Sequence, residues 1–341
     1  MKESLVPLGR IMHEMQKERG CVILFLCSNW ALDNKELSQQ FSQTNLSVEA
    51  LAKLVPEWIK DGRFEKSTIK KLTDLLEEVK NLSVQRELAL SREISAMDSI
   101  SAYSHKIIGP VIDLMVEIAL NDPDHDSAHV SAFSSFLYLK ERIGRERALS
   151  ARGLVLDSFK NDEFIENFRF LISEQDSYKD TFMALANTDQ KECYDRYMKG
   201  ESIQRIDDMH KQLQSDKSNK GYDMSPTDWY DLATQKIDLM HKVEIDLINT
   251  LDKVATNGAK EEKGEKADRI YVGLNSFTEK QQNFIQTLPL FKGLPEWTLA
   301  DLFRNASIGN FKKGKLLFLE GELPNRLYII LDGWVKLYKG N

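Results

Sequence analysis

Apolar residues recur at steps of three and four over most of the first 255 residues, the spacing that lines one face of an α-helix. The first run starts near Ser4 and places Leu5, Leu8, Ile11 or Met12, Met15, Val22, Phe25 and Leu26 along one stripe. The same periodicity predicts helices over Ser47 to Lys60, over Ser67 to Leu82 running on through Glu87 to Ser101, and over Ser104 to Leu120. Further runs cover Ser127 to Lys160, Asp162 to Leu185, Asp189 to Met198, Ile203 to Leu213 and Ser225 to Val254. Ser225-Pro226-Thr227-Asp228 shows how such a run begins: an N-cap, a proline where its missing N–H is not needed, and an acid in the first turn. The connections are mostly short and polar, longer around Asn121 to Ser127 and Gln214 to Met224. Helices of this number and length predict a mainly α protein built from bundles.

The pattern changes after residue 288. Phe311 to Gly321 and Arg326 to Gly333 each join an apolar, β-prone run to a glycine turn, and Trp334-Val-Lys-Leu-Tyr338 alternates. Between the two regimes, Thr256 to Ala267 is polar and dense in charge, a linker or a solvated helix extension. Three parts follow: a helical domain over 1–257, a connector over 258–287, and the front of a β-rich module over 288–341.

Composition supports this division. Of 17 glycines, eight fall in residues 1–257 and nine in the remaining 84. The net charge of −7 is unevenly spread, because residues 288–341 hold eight Lys/Arg against five Asp/Glu, +3, leaving −10 on the rest. A body that acidic excludes a nucleic-acid surface, whose affinity comes largely from neutralising phosphates. The longest apolar run, Cys21 to Cys27, is seven residues, far short of the roughly 18 that a membrane span needs. The N-terminus lacks the layout of a secretory signal, so the expected compartment is the cytoplasm. Cys21, Cys27 and Cys193 lack CxxC spacing and read as reduced, packed thiols.

Two segments stand out for chemistry. Gln16-Lys-Glu-Arg-Gly20 puts a glycine inside a strong helical pattern at a cost of about 1 kcal/mol relative to alanine. Close helix approach, or access for a small ligand, would account for it. Lys140-Glu-Arg-Ile-Gly-Arg-Glu-Arg-Ala148 is a second such segment, interrupted by Gly144, in which Glu141 with Arg145, and Arg142 with Glu146, stand four apart and can pair. Composition alone reads both as solvated, salt-bridged helix faces. The pairs Asp207/His210, Asp238/His241 and Asp126/His129 raise a di-metal helical-bundle oxidase as a rival, since i, i+3 acid–histidine pairs ligate iron in such bundles, though with Glu in place of Asp. Asp122, Asp124, His125, Asp126 and His129 cluster in a loop and read better as the acidic N-cap of a helix than as an ion site. No phosphate loop or nucleophile elbow occurs, so an enzyme is not expected, and no cofactor.

Leu5 and Leu8 with Gln16-x-Glu18-Arg19-Gly20, Tyr103-Ser104 beginning a helix, and Lys140-Glu-x-x-Gly-x-Glu-Arg-Ala148 together resemble the nitrate- and nitrite-sensing (NIT) domain. Gln175-x-x-Tyr178-x-x-x-Phe182 and the long helix with Trp229 fit the same pattern, so the resemblance spans roughly residues 1–255. It implies two stacked four-helix bundles with a long output helix, and an anion clasped between helices by Arg19 and Arg147. Glu18, Gly20, Glu141, Gly144 and Arg145 are the expected supporting residues. One departure bears on ligand identity: Gln43-Thr44-Asn45 stands where the family often has an arginine and a Thr-Asp pair. Residues 288–341 resemble the start of a catabolite-activator-type cyclic-nucleotide-binding domain, through P-L-F-x-G-L-P, F-x-K-G-x-x-L-F-x-E-G-E and L-Y-I-I-L-D-G-W-V-K-L. Its nucleotide-binding residues, and any DNA-binding helices, would follow residue 341, so the expectation is an incomplete β-roll and a piece of a longer regulator.

Arginine suits such a ligand on physical grounds. Nitrate is planar and weakly basic, and a guanidinium offers it parallel donors with a charge that does not titrate away. Two guanidiniums facing each other repel until an anion lies between them, which supplies a switch if the two helix arrangements differ in affinity. The expected protein is a dimeric cytoplasmic sensor of nitrate or nitrite; the alternatives are the di-metal oxidase and a ligand-free signalling scaffold.

Overall fold

The computed structural model describes residues 1–27, 34–122, 126–156, 158, 161–215, 225–257, 277–288 and scattered positions between 290 and 335. They divide into two compact units, Met1–Glu261 and Glu262–Asn341.

The first unit is helical throughout. Its elements are α1 (Lys2–Cys27), α2 (Asn34–Lys60), α3 (Lys66–Lys80), α4 (Leu82–Leu90), α5 (Ala96–Ser101), a π-helical stretch (Ala102–Ile108) and α6 (Gly109–Leu120). Then come α7 (Ser127–Val155), α8 (Asp162–Leu185), α9 (Thr188–Tyr197), α10 (Glu201–Ser215) and α11 (Pro226–Asn257). Local chemistry sets the ends. The side chains of Asp126 and Asn161 accept the N–H groups of Ala128 and Phe164, capping α7 and α8, and Asn187 with Gln190 forms a capping box on α9. Gly62, with φ +61, takes the left-handed turn that stops α2, and Arg63 N–H reaches back to the Trp58 carbonyl.

Two sequence expectations change here. Ser104 does not begin a helix. The chain runs without a break from α5 through the π-helical stretch into α6, while the break falls at Ser91–Ser95, where Arg92 adopts a left-handed φ of 59°. Such a stretch takes one extra residue per turn, so the apolar period slips there and imitates a boundary. The helix read as Ser47 to Lys60 starts at Asn34, and the one read to Lys160 ends at Val155.

Packing groups the helices. α1 lies against α2 and α6, and α3 against α2 and α6; α7 lies against α8 and α11, and α10 against α8 and α11. The two groups meet where α1 touches α7 and α11 and where α6 touches α7. α1 and α7 are therefore enclosed by neighbours. From Ser135 to Ala148 every residue of α7 is buried, and α1 buries Leu5, Leu8, Ile11, Met12 and Met15 completely. α11 presents Trp229, Ala233, Ile237, Met240, Val243 and Leu247 to the interior at steps of three and four. Trp229 packs on Ile206 and Leu232.

In the second unit α12 (Glu279–Thr287) opens with a Thr278–Gln281 capping box, and Phe277 lies 5.6 Å from Phe303, ring to ring. Most of the β-prone runs lie outside the described residues, and among the described residues there is no strand.

Gly9 marks a close approach of α1 to α11: a β-carbon there would fall 2.1 Å from Oε1 of Glu244, a fully buried side chain that cannot swing into solvent. Gly9→Ala should therefore lower stability by about 2 kcal/mol through overpacking, against the gain of about 1 kcal/mol expected in an exposed helix. Denaturant unfolding monitored by circular dichroism checks this.

Candidate functional site

The charged segment of α7 is not solvated. Lys140, Glu141, Arg142, Arg145, Glu146 and Arg147 are all buried, at 5% exposure or less. Ionised side chains that deep require partners, and most find them on other helices. Lys140 pairs with Glu244 of α11, Arg142 Nε lies 3.2 Å from Glu174 of α8, and Glu146 accepts from Gln175 and pairs with His210 at 2.6 Å. The solvated reading fails because α7 is covered on every side.

At the meeting of α1 and α7, Arg19 is fully buried. Its Nη1 donates to Glu141 Oε1 and to Ser104 Oγ, each at 2.6 Å, and its Nη2 donates to Glu141 Oε2 at 3.2 Å. Glu141 also accepts from Arg145 Nε and from Gln16 Nε2, each at 3.0 Å. Burial alone would raise the Glu141 carboxyl, but Arg19 and Arg145 outweigh it and hold the pKa down at about 2. Burial pulls the Arg19 guanidinium below its ordinary pKa, and Glu141 opposes that.

Arg147, also fully buried, has a different environment. Nη1 donates to Thr234 Oγ1 at 3.0 Å, Nη2 donates to the Gln16 carbonyl, and the guanidinium carbon lies 5.1 Å above the Tyr230 ring. All of these partners are neutral. Its Nε, the Nε of Arg19 and Oε1 of Gln16 have no hydrogen-bond partner. The segment Gln16–Gly20 thus touches both arginines.

The two motif glycines have a crossed role. A β-carbon on Gly20, in α1, would lie 2.8 Å from Nη2 of Arg147, in α7; one on Gly144, in α7, would lie 2.7 Å from Nη2 of Arg19, in α1. Each glycine makes room for the arginine of the other helix, which is the close approach that the sequence left open for Gly20.

Of the residues singled out in sequence, Arg19, Glu141, Gly144 and Arg145 come together, with Gly20 and Arg147 beside them. Glu18 serves a separate network. It accepts from Arg86 of α4 at 2.7 and 2.8 Å and from the Tyr103 hydroxyl at 2.7 Å, while Arg86 also binds Asn45 at 2.7 Å. Sequence reasoning missed Gln16, Ser104, Tyr230 and Thr234 as site residues. Gln16 stood inside the first motif, but Tyr230 and Thr234 had only their four-residue spacing on α11 as a signal.

The histidine pairs resolve otherwise than as metal ligands. His210 binds Glu146, His241 lies 3.3 Å from Glu244, and His129 meets Asn187 at 2.9 Å with Asp126 at 3.9 Å. His13 stacks on His241 with ring centroids 4.1 Å apart, and its Nε2 lies 3.3 Å from Asp238. Among the described residues no three His, Cys, Asp or Glu side chains form a metal-holding group. Of the acidic loop cluster, residues 123–125 lie outside the described residues, and Asp126 caps α7 as expected.

Residues 10–252 match the family model described as nitrate and nitrite sensing. The chain belongs to the NIT family. No curated protein matches it in sequence. Among solved structures, the NIT chain is similar to that described as the NasR transcription antiterminator, with 22% identity and a TM-score of 0.63, over 75% of this chain and 69% of that one. At that identity the likeness speaks to the fold. The match ends at residue 252, short of the segment that resembles a cyclic-nucleotide-binding domain. No helix among the described residues is long and apolar enough to cross a membrane.

Two outcomes follow from this electrostatics. Arg147 is a buried cation whose hydrogen-bond acceptors are neutral, so in buffer free of nitrate and nitrite Arg147→Met should raise unfolding stability by about 1 kcal/mol, whereas Arg19→Met should lower it by about 3 kcal/mol by breaking a buried ion pair. Paired thermal melts read both. Burial holds His13 neutral, with its pKa lowered from 6.5 to about 3. The unfolded chain then takes up a proton first as pH falls, so stability is full above pH 6.5 and declines below it toward pH 3. Between about pH 6.5 and 5 the decline should be about 2 kcal/mol and shrink in His13→Asn, measured as urea midpoints against pH.

Proposed function

We propose that the chain senses nitrate or nitrite by holding the anion between α1 and α7 on Arg19 and Arg147. Membership of the NIT family supports the ligand class. The observation that carries the site is Arg147: a fully buried guanidinium whose partners are all neutral, beside Nε donors of both arginines that lack acceptors. A small planar anion matches that demand, because it supplies charge and in-plane acceptors together. The helix grouping supports a pair of four-helix bundles sharing α1 and α7 as their common wall.

The signal would leave along α11, which bonds Arg147 through Thr234 and stacks Tyr230 on it before running toward residue 257. Beyond it we place a regulatory module over 288–341 of the cyclic-nucleotide-binding type. The fold likeness to an antiterminator favours a regulator of transcription, non-enzymatic, cytoplasmic and dimeric.

Calorimetric titration with nitrate, nitrite, chloride and sulfate tests the reading. Nitrate or nitrite should bind to the wild-type chain, and binding should weaken at least a hundredfold in Arg19→Ala and in Arg147→Ala. Gly20→Ala adds a further arm: its β-carbon would fall 2.8 Å from Nη2 and 2.9 Å from Cζ and Nε of the fully buried Arg147, so it should weaken the anion at least tenfold and lower the melting temperature as well. A wild-type protein indifferent to all four anions overturns the proposal.

A further inference from the structure

The two arginines differ in one respect that the anion reading does not use. Arg147 donates its hydrogen bonds to neutral acceptors, whereas the donor edge of Arg19 is taken by Glu141 in a two-pronged grip, Nη1 to Oε1 at 2.6 Å and Nη2 to Oε2 at 3.2 Å. A carboxylate presents two coplanar oxygens about as far apart as two of the oxygens of nitrate, so Glu141 occupies the place and geometry that the ligand itself would seek. The grip also joins helices, since Arg19 is on α1 and Glu141 on α7.

Glu141 has somewhere to go. Its Oε1 is shared with Arg145 Nε at 3.0 Å, one turn further along α7, and its Oε2 accepts from Gln16 Nε2 at 3.0 Å. Letting go of Arg19 therefore does not leave a buried carboxylate alone, which would cost far more than a small ligand returns. With its pKa held at about 2 the carboxylate stays ionised at neutral pH, so it competes as an anion. Among the hydrogen bonds described for Arg19 and Arg147, Glu141 is the carboxylate acceptor, and it accepts from Arg19, while Arg147 donates to neutral groups.

We infer that Glu141 is a built-in competitor for the anion site, a carboxylate that holds Arg19 and must pass to Arg145 before nitrate or nitrite can bridge Arg19 and Arg147. This rests on the anion reading of the site and adds its regulation. An α1–α7 ion pair is exchanged for an α1–anion–α7 bridge, so binding changes which residues tie the two helices. Part of the ligand's affinity is spent on that exchange, and the affinity of the wild-type protein is set below what two arginines alone would give.

The test is calorimetric titration of the full chain with sodium nitrate and sodium nitrite. Glu141→Gln keeps the shape and removes the charge, and should tighten binding at least tenfold. In an Arg19→Gln background, where binding is weak and read at high anion concentration, the same change should move affinity less than twofold, because the competitor acts through Arg19. A Glu141→Gln protein that binds as the wild type does, or more weakly, overturns the inference and makes Glu141 a holder of Arg19. Should Glu141→Gln fail to give a wild-type circular dichroism spectrum, Glu141→Asp replaces it: the shorter acid stays beside Arg145, is withdrawn from Arg19, and should tighten binding in the same direction. If neither wild type nor variant takes up either anion, the anion reading itself falls, a result distinct from tight wild-type binding that Glu141 does not affect.

Discussion

The helical unit depends on charge taken out of water along α1 and α7. Arg19–Glu141, Glu18–Arg86, Lys140–Glu244, Arg142–Glu174 and Glu146–His210 are pairs with at least one fully or almost fully buried member, and each joins two different helices. Apolar stripes supply area but tolerate sliding and rotation. A buried ion pair does not, because a shift of an ångström strands a charge. The helices are thus held at particular rotations and heights, and Arg147 stands out among the described residues as a fully buried guanidinium whose hydrogen-bond acceptors are neutral.

The helices themselves were legible because their apolar period is regular, and Asp162–Leu185 and the start of α11 came out almost to the residue. Where the period failed the reason was physical: the π-helical stretch adds a residue to the turn, so a continuous helix through Ser101–Ser104 read as two. The charged motif in α7 was misread by composition, since Lys-Glu-Arg-Ile-Gly-Arg-Glu-Arg would be equally at home on a solvated face. What buries it is the enclosure of α7 by α1, α6, α8 and α11, a long-range fact. The arginines were found through the family motifs. Of their partners, Ser104 stood inside the motifs without a role assigned to it, whereas Tyr230 and Thr234 stood outside them, 83 and 87 residues from Arg147 with no local pattern joining them.

Glycine gave the most informative signal that one-dimensional reasoning leaves unresolved. Gly20 and Gly144 each looked like a defect in a good helix. In three dimensions they are paired clearances, one per motif, each shaped by the guanidinium that the opposite motif contributes. Two short motifs more than a hundred residues apart thus describe a single object, and neither is interpretable alone.

The π-helical stretch has a consequence for how this wall can be altered. It sits between α5 and α6 and carries Ser104, which binds Arg19, and Tyr103, which binds Glu18. Because it holds one residue more than an α-helical turn would, it is equivalent to a single-residue insertion, and removing one residue from Ala102–Ile108 would restore an unbroken α-helix. Because the wider turns absorb that residue, α5 and α6 would keep nearly the same phase relative to each other. The hydroxyls serving Arg19 and Glu18 thus sit at the one place in this helix where the chain can lose a residue with little rotation of α5 and α6, so a length change there would move Ser104 and Tyr103 while leaving the flanking packing in place.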